Sequence, residues 1–296
     1  MLMNMNATPL SSLRRRHFLA TLGGAAAATV LGGAPVVAQA EPRKGRLKQA
    51  VCLGVFNGTN LDMEGKCREA ARLGAHGIDL VGPDVFPLLK KHGLIPTMVP
   101  GGAGIKNGVN DKKNHAEIDR RMRDAIKAAA AAGAPNVIVM AGDRQGLTDE
   151  QGLENSVLFL NNIKALAEEQ NVTLCIELLN SKVDHPGYMC DRTSWGVEVC
   201  KQVNSPRVKL LYDIYHMQIM EGDVIRTIKQ NIKYFAHFHT AGNPGRHEFD
   251  ETQEMNYKGI CMAIASLGYQ GYLSHEYSPT KNALETLDKM MSICEV

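Results

Sequence analysis

The chain has no Cys-x-x-Cys pair, no Gly-x-Gly-x-x-Gly or Walker-type loop, no Pro-rich or charged linker after residue 50, and no basic block outside its N-terminus. Each absence removes a class of function. The cysteines Cys52, Cys67, Cys175, Cys190, Cys200, Cys261 and Cys294 are odd in number and widely spaced, which indicates neither a zinc knuckle nor a disulfide framework. Cys175 lies in an apolar strand-like run and reads as a small buried thiol. Without a Gly-rich turn at a strand end, a nucleotide finds no phosphate cradle. Without a linker, a second domain is not indicated. Nucleic acids need a basic stripe to neutralise phosphates, so no nucleic-acid partner is expected. What is present is ordinary for a globular protein: 44% hydrophobic and 22% charged residues.

Charge is scarcest at the start. Residues 1–40 carry Arg14, Arg15 and Arg16 but no Lys, Asp or Glu, so without them the formal charge falls from +2 to −1. Arg15-Arg16-His17-Phe18-Leu19 opens an uncharged Ala- and Gly-rich run that ends in Ala38-Gln39-Ala40. This pattern is that of a cleaved twin-arginine signal peptide over residues 1–40, which implies export to the periplasm. A membrane-spanning helix is the competing reading, and Gly23, Gly24, Gly32, Gly33 and Pro35 argue against it. The mature chain is expected near Glu41, with no stable membrane anchor.

Residues 41–296 have the size at which one barrel of eight parallel strands and eight helices closes. Short apolar runs bounded by turn signals fall at 49–55, 77–81, 95–99, 136–141, 172–179, 208–214, 234–239 and 271–275. Helix-like stretches alternate with them at 61–73, 85–92, 115–132, 155–170, 193–203, 224–231, 257–267 and 282–294. The Ala-rich stretch before Gly133 and Pro135 has high helix propensity with a cap and a stop behind it. The expected fold is a single α/β domain, a (β/α)8 TIM barrel preceded by the signal segment.

In such barrels the site gathers at the C-terminal ends of the strands. Four polar residues interrupt apolar runs there: Glu177, Asp213, His239 and Glu276, one on each of strands five to eight. Their separations of 36, 26 and 37 residues are each about one strand-plus-helix unit, so the side chains can converge on one half of the mouth. Buried acids without a partner are costly, and three of them call for a common cation. Three carboxylates and one imidazole suit one divalent metal ion, Mn²⁺, Mg²⁺ or Co²⁺, with Zn²⁺ also admitted.

Several of these residues sit in recognisable motifs. Ile176-Glu177-Leu178-Leu179-Asn180-Ser181, Tyr212-Asp213-Ile214-Tyr215-His216-Met217-Gln218, Asn243-Pro244-Gly245-Arg246 and Glu276-Tyr277-Ser278-Pro279 resemble the hydroxypyruvate isomerase group of the xylose-isomerase-like barrels. The resemblance covers most of residues 48–294. It implies a metal held by Glu177, Asp213, His239 and Glu276, with Glu177 and Glu276 also serving as the catalytic acid/base pair. It places His216 against substrate hydroxyls. His239 departs from the glutamine of the hydroxypyruvate isomerases and matches the ketose 3-epimerases of the same superfamily.

Arg246 is a candidate to hold a substrate oxygen or carboxylate through its bidentate fork. His185 is a further substrate-binding candidate, His247 and Glu248 are weaker ones, and Asn180 is placed to orient Glu177. Met217, Ile219 and Met220 read as packing, and Trp195 as core or interface.

The expected activity is metal-dependent isomerisation or epimerisation of a small keto-sugar or hydroxypyruvate-like substrate, through an enediolate whose proton passes between the two glutamates. Two alternatives remain. The same enolate can expel a β-substituent, giving a lyase on 3-keto-glycosides that suits an exported protein. A non-catalytic sugar-binding barrel is the other. The expected partner is a small carbohydrate, and a homo-oligomer accords with the resemblance.

Overall fold

The computed structural model describes residues 43–296. The signal segment expected over residues 1–40 lies outside that range. Strands β1 (Lys48–Cys52), β2 (Gly77–Asp79), β3 (Ile95–Met98), β4 (Asn136–Val139), β5 (Thr173–Leu178), β6 (Val208–Asp213), β7 (Phe235–Thr240) and β8 (Tyr272–His275) are all parallel. They pair in the order β3-β2-β1-β8-β7-β6-β5-β4. The ring closes between its two ends by a bridge of Val99 to Val137, where Val99 N–H donates to Asn136 O at 2.9 Å and Ile138 N–H to Val99 O at 3.0 Å. At this seam a Cβ on Gly101 would stand 2.0 Å from Ile138 O, so glycine is required for the chain to pass.

Every residue of β4 and β5 is buried, as expected for parallel strands covered on both faces. Met98, Ile138, Cys175 and Leu211 fill the barrel centre and make it a packed core rather than a pore. Side chains alternate along a strand, so Glu177, Asp213 and His239 lie two residues beyond Cys175, Leu211 and His237 on the same inward face. The mouth residues thus rest on a packed floor, apolar at Cys175 and Leu211 and polar at His237.

The helices are α1 (Met63–Arg72), α2 (Phe86–Lys91), α3 (His115–Ala132), α4 (Asp149–Glu169), α5 (Thr193–Val203), α6 (Ile214–Met220), α7 (Val224–Asn231), α8 (Tyr257–Ser266) and α9 (Ala283–Ile293). Two differ from the sequence expectation. Helix α4 begins six residues earlier than position 155, because Thr148 and Gln151 form a reciprocal capping box. Helix α6 is additional: Asp213 ends β6 and caps the new helix at once, its Oδ1 accepting from His216 N–H at 3.1 Å. Met217 and Met220 are buried in its packing face. Trp195, at the start of α5, packs against the core and donates from Nε1 to Asp149 O at 3.1 Å.

All seven cysteines are buried free thiols. Among the described residues no helix is long and apolar enough to cross a membrane.

Candidate active site

The four mouth residues arrive by four different strands. Glu177 is the penultimate residue of β5, Asp213 the last of β6 and His239 the penultimate of β7. Glu276, expected from the sequence on strand eight, instead follows β8 by one residue; its N–H donates to Thr240 O at 2.9 Å, which extends the pairing without a ladder. Register places Asp213 opposite His239 on the neighbouring strand. One ligand atom from each of the four lies within 4.8 Å of every other.

Asp213 and His239 are buried, Glu177 nearly so, and the Glu276 side chain is 22% exposed and faces the mouth. The Glu177 backbone is fixed by the buried Tyr188, whose hydroxyl accepts from Ala141 N–H at 3.0 Å and donates to Glu177 O at 3.0 Å. Tyr188→Phe would leave both groups unpaired in the core. A loss of about 2 kcal/mol is expected, seen as a fall in Tm of roughly 4–8 °C in a thermal melt.

Charge in the cluster is unbalanced. Burial pushes the Asp213 carboxyl up to about 6 against the pull of Arg246, and burial raises Glu177 as well. Burial acts in the same sense on Glu276, but His239 and Arg246 outweigh it and hold that carboxyl at about 2. Burial disfavours the charged form of His239, yet the surrounding anions, Glu276 first, raise it well above the ordinary histidine range.

The geometry around that imidazole bears on whether a metal fits. Its Nδ1 is buried and makes no hydrogen bond, although Glu276 Oε2 is 2.9 Å away and Glu177 Oε1 3.4 Å away. A nitrogen aimed at carboxylate oxygens off hydrogen-bonding direction, with Asp213 beside them, is a donor set for one cation. The residues fit the group.

Around this centre stand the substrate-binding candidates. His216, on the first turn of α6, is buried; Asn180 Nδ2 donates to its Nδ1 at 2.6 Å, so its proton sits on Nε2. That Nε2 has no partner and lies 3.6 Å from Asp213 Oδ2. Burial, helped by Arg246, holds His216 well below the usual histidine range, so it is a neutral donor. Asn180 therefore serves His216 and Asp184 rather than Glu177, because it lies beyond the end of β5 in the turn that carries Asp184. His185 comes to the same rim, its ring 5.3 Å from that of His216.

Arg246 donates from Nη2 to Glu276 Oε2 at 2.6 Å and approaches Asp213 Oδ2 at 3.5 Å, with its guanidinium over the Tyr215 ring. Its backbone is left-handed at φ 56°, a strain of about 1–3 kcal/mol that surrounding contacts must hold, Ser278 N–H to Arg246 O at 2.9 Å among them. His247 and Glu248 do not join the cluster. His247 Nδ1 lies 3.0 Å from Ser278 O, and buried Glu248 accepts from Thr280 N–H and Oγ1, so both brace the loop against the segment after β8.

Sequence reasoning passed over Asp79, at the end of β2. It is fully buried; His237 Nε2 is 2.6 Å and His239 Nε2 3.1 Å from its Oδ2. The available signal was an acid closing an apolar run, the same signal that singles out Asp213.

Comparison with known proteins agrees with this architecture. A 2-oxo-tetronate isomerase of Cupriavidus necator is 36% identical over 160 residues, covering 52% of this chain and 59% of that protein. A human protein provisionally named a hydroxypyruvate isomerase is 29% identical over 177 residues, covering 58% of this chain and 64% of its own length. The matches thus span about three fifths of these two relatives. Among solved structures, an AP endonuclease, family 2, from Brucella melitensis superposes with a TM-score of 0.76 at 26% identity, over 83% of this chain and 99% of that one. The profile that matches residues 67–293 is that of the xylose isomerase-like TIM barrels, and with eight parallel strands gathering four ligand-type side chains at one mouth, the chain belongs to that family.

Proposed function

We propose that the protein is a metal-dependent isomerase or epimerase of a small 2-keto-sugar or 2-keto-acid. The observation that carries this reading is the buried, unpartnered His239 Nδ1 set among three carboxylates. Glu177, Asp213, His239 and Glu276 would hold one divalent ion, which supplies charge stabilisation for the enediolate oxygens of the substrate.

The chain's own residues do the rest. Glu177 and Glu276 act as the acid/base pair: one takes the proton from the carbon beside the carbonyl and the other returns one to the neighbouring carbon or the opposite face. The roles exchange in the reverse direction. His216 offers a fixed Nε2–H to a substrate hydroxyl. Arg246, with a buried Nε that has no partner, offers its free edge to an anionic or hydroxyl oxygen. The relatives named above as isomerases support a keto-acid or keto-sugar of this size. The twin-arginine pattern at Arg15-Arg16 adds that the enzyme works after export.

The test is proton NMR in D₂O of the metal-loaded protein with hydroxypyruvate, 2-keto-acids, ketoses and 3-keto-glycosides. Deuterium should appear at the carbon beside the carbonyl as an isomer accumulates. Release of an aglycone would replace the isomerase by a lyase. Tight binding of a sugar with no exchange would leave a receptor.

A further inference from the structure

Beneath the mouth lies a polar chain that the proposed reaction does not use. Asp79 Oδ2 faces two imidazoles, His237 Nε2 at 2.6 Å and His239 Nε2 at 3.1 Å, and its Oδ1 accepts from the Thr97 hydroxyl. Asn136 Nδ2 lies 3.4 Å from His237 Nδ1 and donates to Thr97 O at 3.0 Å, which turns the His237 proton toward Asp79. Asp79, Thr97, His237 and His239 are all fully buried. An isolated carboxylate at such depth would be very costly, so three converging donors are what keep it charged and in place.

The consequence falls on His239. With its Nε2 proton kept on a carboxylate, the imidazole can bind a metal only through Nδ1, which is the buried atom without a hydrogen bond that faces Glu177 and Glu276. We infer that Asp79 is a positioning residue: it fixes the tautomer and ring orientation of His239 for the metal, and His237 holds Asp79 to that task. This rests on the metal reading above. Asp79 is bonded to Thr97, His237 and His239 and is not one of the four clustered mouth residues, so it acts through the imidazole.

The experiment measures Mn²⁺ and Zn²⁺ binding to the full-length protein by calorimetry, for wild type, Asp79→Asn and a control, Ser156→Ala, a buried residue of α4 whose hydroxyl donates to Gly152 O. Asparagine keeps the shape and can still accept one imidazole proton, but it loses the charge. Affinity is expected to fall about 10–100-fold in Asp79→Asn and to stay within twofold in the control. Long-range ¹H–¹⁵N spectra of wild type supply a second readout that does not need the variant to fold: the His239 Nε2 proton should persist with and without Zn²⁺, and in Asp79→Asn the tautomers should mix. Equal metal affinity in wild type and Asp79→Asn overturns the assignment, as does a Zn²⁺-loaded wild type whose His239 lacks the proton on Nε2. Wild type that binds neither metal would instead sink the metal reading, and the tautomer spectrum would then decide the Asp79–His239 pairing by itself.

Discussion

Replacing Glu276 by glutamine is expected to lower turnover by about 10²–10⁴-fold, the range that general acid–base catalysis supplies. The barrel should fold as before, because the amide keeps the shape and one acceptor oxygen for Arg246, whose Nη2 now sits 2.6 Å from the carboxylate. Metal is kept saturating and its content measured, so that a lost ligand is not mistaken for a lost base. The check is deuterium exchange per active site alongside the overall rate. If only binding were at stake, exchange would survive and the Michaelis constant alone would rise. Full exchange in Glu276→Gln would remove this residue from the proton path and leave it a ligand. Glu177→Gln should be as damaging, since each carboxyl carries one of the two proton transfers.

The second large effect concerns stability. Asp213 is held at about 6 in the folded, metal-free protein, against 3.8 for the free side chain. A raised carboxyl contributes stability that is complete below pH 4 and is lost as pH rises through 6. At pH 8 the metal-free protein therefore carries a cost of about 3 kcal/mol. Asp213→Asn removes that cost and keeps the cap on His216 N–H, at the expense of a weakened contact with Arg246.

The metal-free variant should melt roughly 4–8 °C above wild type at pH 8, and the gap should close toward pH 4. Metal reverses the order. At a thousandfold excess over Kd it adds about 4.1 kcal/mol to wild type, and little to a variant short of one anionic side chain. A metal-free Asp213→Asn protein that melts below wild type at pH 8 would show that the Arg246–Asp213 contact outweighs the burial of the charge.

Much of this was legible in the sequence, for a definite reason. In a parallel barrel each apolar run is a strand, its last positions face the mouth, and a polar residue there has nowhere else to go. That argument reaches Glu177, Asp213 and His239 outright and Glu276 within one residue. It fails where partners come from distant strands: Asp79 answers to His237 and His239, 158 and 160 residues away, and nothing local in Gly77-Ile78-Asp79 announces them. It also fails where one residue does two jobs. Asp213 both closes β6 and starts α6, so the strand run conceals the extra helix that seats His216. Glu248 shows the opposite error, an acid beside the site whose oxygens are spent on Thr280.

The barrel's seam has a bearing on how the molecule can move. The ring is joined between β3 and β4 by a bridge at Val99 and Val137, whereas β5, β6, β7 and β8 are continuously laddered and carry the four clustered mouth side chains at or just past their ends. A hoop under load yields at its clasp. Here the clasp sits away from the strands that carry the mouth side chains, so a local loosening there would leave the pairing beneath those four residues intact.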